Sequence, residues 1–392
     1  MKHKSVGMIL FLIFLYSVGM NFHHPITPTL FSELNLPSYI FGTSFAVMCL
    51  FSFLFSMYWG DKVNVIGRVK VFALCSIMYA FGQYCLSIAN NELFIYVGRA
   101  VSGSFSGGCA VASLTYLIDI SPLEKRGTNI AISTAIITAS GTLGFLLGGI
   151  IGNSNYMISL YVQIIWMVSV GIIALLFLEE TYINKGYRSK SNINPFVSFI
   201  NMKKYMDKAL FIILFVVFFA NFATSSYDNS FNYYLKAVLD LTPISNGIFK
   251  FVFGLVGLCA NMTINIYIVR KLNVNFSLMM TLLLCALFPI GSLLSNNMIT
   301  FVLFNVLFFA VNSIYQPLLQ TVGIKDRFNE DVSNITGIIN SIKSLGMVCG
   351  SSIAGFVFDY NHDFPFMISI VMFLFATIVC YFTIKSSVKV VL

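Results

Sequence analysis

Residues 157–178 read MISLYVQIIWMVSVGIIALLFL, and residues 179–195 read EETYINKGYRSKSNINP. The first stretch has no charged side chain. It is long enough to cross the hydrocarbon core of a bilayer, since a spanning helix needs about 20 mostly apolar residues. The second stretch is polar and basic, and it belongs to the longest polar break in the chain, from Glu179 to Lys208. Together they predict a membrane-spanning helix that ends at a hydrophilic linker.

The same alternation of apolar runs and short polar breaks continues on both sides of this linker. Six runs precede it and six follow it, at residues 6–29, 39–59, 71–89, 93–118, 128–151, 157–178, 208–227, 243–268, 275–295, 297–321, 333–357 and 365–386. We therefore expect an all-α membrane protein with twelve transmembrane helices in two six-helix halves. The expected boundaries are 1–178 for the first half, 179–207 for the linker and 208–392 for the second half.

The composition excludes an ordinary soluble protein. Of 392 residues, 58% are apolar and only 10% are charged, with a mean hydropathy of +0.85. Soluble domains have roughly 25% charged residues, because their surfaces must be covered with polar groups. The apolar excess therefore indicates contact with lipid.

Basic residues are distributed unequally between the two sets of loops. Nineteen of the 23 lysines and arginines fall at the termini, in the linker and in the loops on that same side, whereas the opposite loops hold only Lys236. Basic residues favour the cytoplasmic side of a membrane. This pattern predicts a protein of the cytoplasmic membrane with both termini and the linker in the cytoplasm. It also accounts for the net charge of +8 without a nucleic-acid partner.

Six ionisable side chains nevertheless lie within the predicted spans. An ionisable group at the centre of a spanning helix costs roughly 2.5–3.5 kcal/mol on insertion scales, so each needs a reason in packing or in function. They are Arg99, Lys250, Lys343, His23, His24 and Asp228.

Polar side chains recur at helical spacing in several spans. In the seventh span, Asn221, Ser225, Asp228 and Asn232 share one helix face, since they are three or four residues apart. A helix that faces lipid gains nothing from such a polar face, whereas a helix that lines a water-filled cavity does. The resulting candidates for a substrate cavity are Arg99, Lys343, Asn232, Asn312, Gln316, Asn340 and Asn21.

These charged candidates have more than one interpretation. Arg99 is either a substrate contact or a structural charge held by backbone carbonyls. Lys250 lies only about 10 Å from the outer end of its predicted span. We therefore expect its amine to snorkel to the interface between membrane and water. His23, His24 and Asp228 are candidates to carry a transported proton. The alternatives are a hydrogen-bonded core position for the histidines and an outer vestibule position for Asp228.

Small residues form a stripe in the fifth span. Ser140, Gly144, Gly148 and Gly152 repeat every four residues, with Gly149 beside them. Such stripes let helix backbones approach closely in a membrane. We expect helix packing here, and a smooth face that slides during transport is the alternative.

Four motifs resemble those of the major facilitator superfamily. They are MYWGDKVNVIGRVK (57–70), GRAVSGSFSGG (98–108), DISPLEKRG (119–127) and SGTLGFLLGG (140–149). The last is similar to an element of the superfamily's drug:proton antiporter branch. In order, the motifs supply the superfamily's Asp and basic cluster, its Arg-x-x-x-Gly element, its Asp-x-x-Pro and Arg-Gly turn, and the glycines of its fifth span. The resemblance covers the full chain, because GIINSIKSLGMVCGSSIAGFVFDY (337–360) also resembles the eleventh span of that branch.

The resemblance implies the major facilitator fold and a secondary transporter that works by alternating access. It implies proton-coupled efflux of small amphiphiles, with uptake of an anionic, zwitterionic or neutral polar metabolite as an alternative and a channel as an alternative from another class. It further implies a cytoplasmic gate of ion pairs, formed by Asp61, Lys62, Arg68, Asp119 and Arg126. We expect a monomer in the bilayer that binds a small substrate and protons.

Other functional classes lack sequence support. The chain contains no Gly-x-x-x-x-Gly-Lys-Ser/Thr loop for ATP and no Cys/His spacing typical of a metal site. We therefore expect neither an enzyme nor a cofactor or metal. The spans hold three fixed positive charges and one carboxylate, and an unpaired buried cation is costly. This balance predicts a substrate other than a permanent lipophilic cation.

Overall fold

The computed structural model describes residues 5–181, 207–324 and 332–388, and these are almost entirely helical. The twenty-five linker residues 182–206 lie outside this description, as do Lys2, Lys4, Lys325, Arg327 and Lys389. The helices are α1 Val6–Asn21, α2 Thr27–Glu33, α3 Tyr39–Ile66, α4 Arg68–Ser87, α5 Glu92–Ile120, α6 Leu123–Gly152, α7 Tyr156–Phe177, α8 Lys208–Ala237, α9 Pro243–Ala260, α10 Ile266–Lys271, α11 Val274–Leu293, α12 Met298–Ile324, α13 Val332–Phe358 and α14 Phe364–Val388.

Eleven spans in the described part of the chain are long and apolar enough to cross a bilayer. One of them, Pro243–Lys271, joins α9 and α10 through a π-helical turn at Asn261–Asn265. Their outer faces carry exposed apolar side chains such as Ile165, Leu303 and Phe375, as expected of helices that contact lipid. The predicted all-α membrane fold is confirmed.

The first predicted span differs from a single continuous helix. Helix α1 has 16 residues and is therefore about 24 Å long at 1.5 Å per residue. It ends at Asn21 because Pro25 and Pro28 follow, and proline lacks the N–H of a helical hydrogen bond and disfavours helix in the residue before it. A turn at residues 22–26 and the short helix α2 complete the run. This break places His23 and His24 in a turn and not on a helix face.

The chain forms two compact units. The first unit comprises Met1–Ile40, Val47–Pro195 and Leu235–Phe251. The second unit comprises Phe41–Ala46, Phe196–Tyr234 and Val252–Leu392. Residues 41–46 of α3 thus belong to the second unit, whereas the end of α8 and the start of α9 belong to the first.

Each unit has a central helix that packs against two others. In the first unit, α4 packs against α5 and α7, and the buried Ser76 hydroxyl donates a hydrogen bond to the Met167 carbonyl at 2.7 Å. In the second unit, α11 packs against α12 and α14, with Cys285, Phe308 and Phe373 fully buried. These interfaces form the apolar core of each unit.

The glycine stripe of α6 lies against the backbone of α1. A Cβ atom at Gly144 would collide with the Val18 carbonyl, and one at Gly148 would collide with the Phe22 carbonyl. A Cβ atom at Gly152 would collide with Ile26. The other stripe glycine, Gly149, faces the backbone of α9 at Pro243 and Gly247. Only glycine permits these close approaches.

The second unit repeats this arrangement with different residues. A Cβ atom at Gly346 would lie 2.6 Å from the Phe218 carbonyl oxygen, and one at Gly350 would collide with the Phe222 carbonyl. Two glycines four residues apart on α13 therefore meet two carbonyls four residues apart on α8, as Gly144 and Gly148 do in the first unit. In both units, a pair of glycines four residues apart allows two helix backbones to approach closely.

Candidate functional site

A buried cluster of polar side chains lies in the first unit around His23. The Gln163 amide nitrogen donates to the Gly19 carbonyl at 2.7 Å and lies 3.2 Å from His23 Nδ1. The Tyr79 hydroxyl lies 3.5 Å from the same ring nitrogen. Because an amide NH₂ is a donor, His23 Nδ1 is the acceptor, and the neutral ring carries its hydrogen on Nε2. That Nε2 has no hydrogen-bond partner among the described residues.

Arg99 extends this cluster from α5. Its Nη2 donates to the Thr27 hydroxyl at 3.3 Å, and its Nη1 lies 3.8 Å from the Met48 sulfur. The Thr27 hydroxyl in turn donates to the His23 carbonyl at 2.7 Å. Arg99 is only 3% exposed, and its Nε has no hydrogen-bond partner in the described part of the chain. Two of the sequence candidates, Arg99 and His23, thus lie in one network.

His24 and Lys250 lie beside the same cluster. The His24 ring is stacked on Phe145 with centroids 5.0 Å apart, and it lies 4.1 Å from the His23 ring centroid. The Lys250 amine lies over the same Phe145 ring, 5.9 Å from its centroid. Lys250 is 7% exposed. The expectation that its amine snorkels to the interface is wrong, because the side chain is buried and its amine lies near an aromatic face.

A second polar cluster lies within the second unit. The Lys343 amine donates to Gln316 Oε1 at 2.7 Å. The Gln316 amide donates to Asn221 Oδ1 at 3.4 Å and to the Tyr315 hydroxyl at 3.3 Å. Helices α8, α12 and α13 each contribute a side chain. Lys343 and Gln316, both predicted from the sequence, are therefore in direct contact.

Thr224 connects this cluster to Asn312. The Thr224 hydroxyl donates to Asn312 Oδ1 at 3.0 Å and lies 2.8 Å from the Tyr315 hydroxyl. Threonine and tyrosine hydroxyls are weaker sequence signals than charged groups, and the sequence analysis missed both. It also missed Tyr79 and Gln163 in the first unit. An amide in the middle of the apolar run 157–178 was the available signal for Gln163.

The remaining predicted site residues differ in their burial. Asn21 donates to the Ser17 carbonyl of its own helix at 2.9 Å, and its side chain faces Gly141 and Gly144 of α6. Asn340 is exposed, Asn232 is buried and Asp228 is partly buried.

Two of the five predicted gate residues form an ion pair at the end of α5. Arg68 Nε lies 2.8 Å from Asp119 Oδ2, and the Arg68 Nη1 donates to the Val63 carbonyl at 3.2 Å. The Thr181 hydroxyl also donates to Asp119 Oδ2, at 2.9 Å. This pair links the α3–α4 turn, α5 and the segment after α7.

The other three predicted gate residues do not join this pair within the described part of the chain. The Lys62 amine lies 5.2 Å from the Tyr58 ring centroid. Asp61 is half-buried, and the half-buried Arg126 has an Nε without a hydrogen-bond partner among the described residues.

Glu180 is a further contact that the sequence analysis missed. Its carboxylate accepts the backbone N–H of Arg68 at 2.7 Å and that of Val69 at 3.2 Å, so it caps the N-terminus of α4. Gly67 precedes this cap with φ of 108°, in the region that favours glycine. A Cβ at Gly67 would also collide with the Glu180 carboxylate. Glu180, in the sequence FLEET at residues 177–181, therefore shapes the α3–α4 turn.

The sequence is similar to a known protein family and to two bacterial proteins. The family model described as Major Facilitator Superfamily matches residues 9–326. Multidrug resistance protein 2 of Bacillus subtilis is 22% identical over 373 residues, which cover 93% of this chain and 92% of the relative. Quinolone resistance protein NorA of Staphylococcus aureus is 21% identical over 385 residues, with coverages of 94% and 93%.

A solved structure shows the same fold. A bacterial homologue of the human lysosomal transporter Spinster, crystallised in an inward-facing and occupied conformation, superposes with a TM-score of 0.78 at 12% identity. The superposition covers 98% of this chain and 97% of that one. The helical architecture, the ordered motifs and the family match agree, and the chain belongs to the Major Facilitator Superfamily.

Proposed function

We propose that this transporter exports small amphiphiles by alternating access, with a proton gradient as its energy source. The proposed working parts are two six-helix halves, residues 1–178 and 208–392, joined by the linker 179–207. The observation that carries the proposal is the pair of polar clusters inside otherwise apolar helical units. Ionisable side chains within membrane spans face bundle interiors or water-filled cavities and mark substrate or ion pathways.

The names of two relatives support export as the direction of transport. Both are resistance proteins of bacteria, one for multiple drugs and one for quinolones. Their full-length alignments, at 22% and 21% identity, support the efflux class more than a particular substrate. From the unequal distribution of basic residues between the loops, we also propose a monomer in the cytoplasmic membrane with both termini in the cytoplasm.

Uptake of an anionic, zwitterionic or neutral polar metabolite is the second candidate function. The positive charges of the buried Arg99 and Lys250 and of the partly buried Lys343 favour it, since such charges attract anions and repel cations. A channel is the candidate from another class. A carrier and a channel differ in that only a carrier shows saturable flux and counterflow.

For coupling, we propose His23, His24 and Asp228 as the groups that exchange protons. The His23 and His24 rings are in contact, and His23 has a ring nitrogen without a protein partner in the described chain. Arg68 and Asp119 are proposed as the main ion pair of a cytoplasmic gate, with Asp61, Lys62 and Arg126 nearby in sequence.

The test uses the purified full-length protein in proteoliposomes with a panel of labelled amphiphiles, including ethidium. We expect saturable counterflow of at least one compound and its accumulation against a gradient when a pH difference is imposed. A flux that rises linearly with concentration and shows no counterflow would contradict a carrier.

The coupling residues are tested in the same vesicles. The double variant His23→Gln with His24→Gln, and separately Asp228→Asn, should abolish pH-driven accumulation in at least one case while counterflow persists. The exposed His362→Gln and Asp359→Asn serve as matched controls outside the clusters. Full pH-driven accumulation in every variant would exclude these three residues as proton carriers.

A further inference from the structure

The guanidinium of Arg99 is buried without a carboxylate partner in the described part of the chain. An arginine side chain has five N–H donors. Two are engaged, both by uncharged acceptors: the Thr27 hydroxyl and the Met48 thioether. Its Nε hydrogen has no acceptor among the described residues. The Nε hydrogen and one hydrogen on each Nη therefore remain, and arginine binds a carboxylate in bidentate fashion through two such donors.

His23, which is connected to Arg99 through Thr27, supplies a further N–H donor at its ring Nε2. Thr27 accepts from Arg99 Nη2 and donates to the His23 carbonyl, which fixes the two residues in one network. Gln163 occupies His23 Nδ1 as a donor, so the neutral ring has its hydrogen on Nε2. That atom is buried and has no partner in the described chain. Arg99 and His23, at 3% and 1% exposure, each keep an unsatisfied N–H.

Arg99 lies in a cluster with other basic side chains. Lys250, held over Phe145, adds a second cation within the same unit. Arg99 and His24 are the charged groups that act on His23, and the Tyr79 hydroxyl lies 3.5 Å from its ring. A buried cation without a counter-charge is unfavourable, and a protonated His23 beside Arg99 would add to the repulsion. An incoming anion relieves both penalties.

We propose that Arg99, with His23 Nε2, binds the carboxylate of the transported amphiphile. The inference rests on the proposed transport function and names its substrate class: an amphiphile with an acidic head group. The carboxylate accepts the Nε hydrogen of Arg99. The apolar body of the substrate contacts neighbouring aromatic and thioether side chains, such as Phe145, which lies under the Lys250 amine, and Met48, which lies 3.8 Å from Arg99 Nη1.

The test compares 2-naphthoate with its neutral analogue 2-naphthamide, which has the same ring system and nearly the same shape. Dissociation constants are measured by calorimetry on the full-length protein in detergent. Charge-assisted hydrogen bonds favour the carboxylate by about 10- to 150-fold. We expect this preference in the wild type and its disappearance in Arg99→Gln. The ratio of the two constants is independent of how much of a variant sample is folded.

Matched variants separate the site from general charge effects. Arg270→Gln removes one exposed positive charge far along the chain from the cluster, and it should retain the preference. His23→Gln should reduce it partly, since one neutral donor is lost. A wild type that binds both probes equally, prefers the amide or binds neither refutes the carboxylate site. So does an equal preference in wild type and Arg99→Gln, which is the result expected if internal water satisfies these donors.

Failure of the transport proposal gives a different result. Counterflow of naphthamide without binding of naphthoate would refute the carboxylate site and leave the carrier intact. Arg99-dependent binding of naphthoate without counterflow of any compound would refute transport and leave the site intact.

Discussion

The close contact between α6 and α1 makes a sharp prediction about Gly148. An alanine methyl group at this position would collide with the Phe22 carbonyl, so α6 must move away from α1 or the backbone must deform. Overpacking of this kind costs about 1–3 kcal/mol. Gly148→Ala should therefore destabilise the first unit even though alanine is the better helix former.

Gly141 of the same helix is the matched control. A Cβ at Gly141 meets only the Asn21 amide, at 3.4 Å, which is an ordinary contact. Both substitutions gain the same helix propensity, of up to about 1 kcal/mol, so the difference between them isolates the collision. At about 2–4 °C per kcal/mol for a unit of this size, Gly148→Ala should unfold about 2–12 °C below Gly141→Ala.

The measurement is the apparent unfolding temperature of both variants in one detergent at one heating rate. Gly350→Ala in the second unit, which would collide with the Phe222 carbonyl, should behave like Gly148→Ala. Equal unfolding temperatures for Gly148→Ala and Gly141→Ala would refute the claim that glycine is needed for this approach.

Three other expectations concern the turn, the second cluster and the orientation. Glu180→Gln removes the charge that caps α4 and should cost about 1 kcal/mol, seen as a lower unfolding temperature; an unchanged temperature contradicts the capping role. Lys343→Met breaks the hydrogen bond to Gln316 and should raise the dissociation constant of the transported compound in counterflow competition. An equal dissociation constant would exclude the predicted role of Lys343. So would tight binding of ethidium that is unchanged or improved when Lys343 is replaced by an acidic residue. In a background without the eight native cysteines, an impermeant maleimide added outside should label Lys236→Cys and spare Lys190→Cys, and the opposite pattern would reverse the topology.

The candidate site could be predicted only in part. Lys343, Gln316 and Asn312 stood out because charges and amides are rare in apolar runs, and the structure brings them into one cluster. Tyr79 and Thr224 carried no comparable signal, since tyrosine and threonine are common in spans. Helical spacing places residues on one face of one helix. It does not say which neighbouring helix that face contacts, so the contact partners of these residues could not be predicted from the sequence.

The sequence by itself determined the class of fold, because the bilayer requires long apolar helices whose backbone groups are satisfied internally. It also determined where small residues lie, since Gly144 and Gly148 are separated by one helical turn. Only the tertiary structure decided that these glycines meet the Val18 and Phe22 carbonyls, and that the Lys250 amine lies over Phe145. The apolar pattern is a local property of each segment. Partner choice depends on the fit between surfaces far apart in the chain, and it arises only when the helices pack.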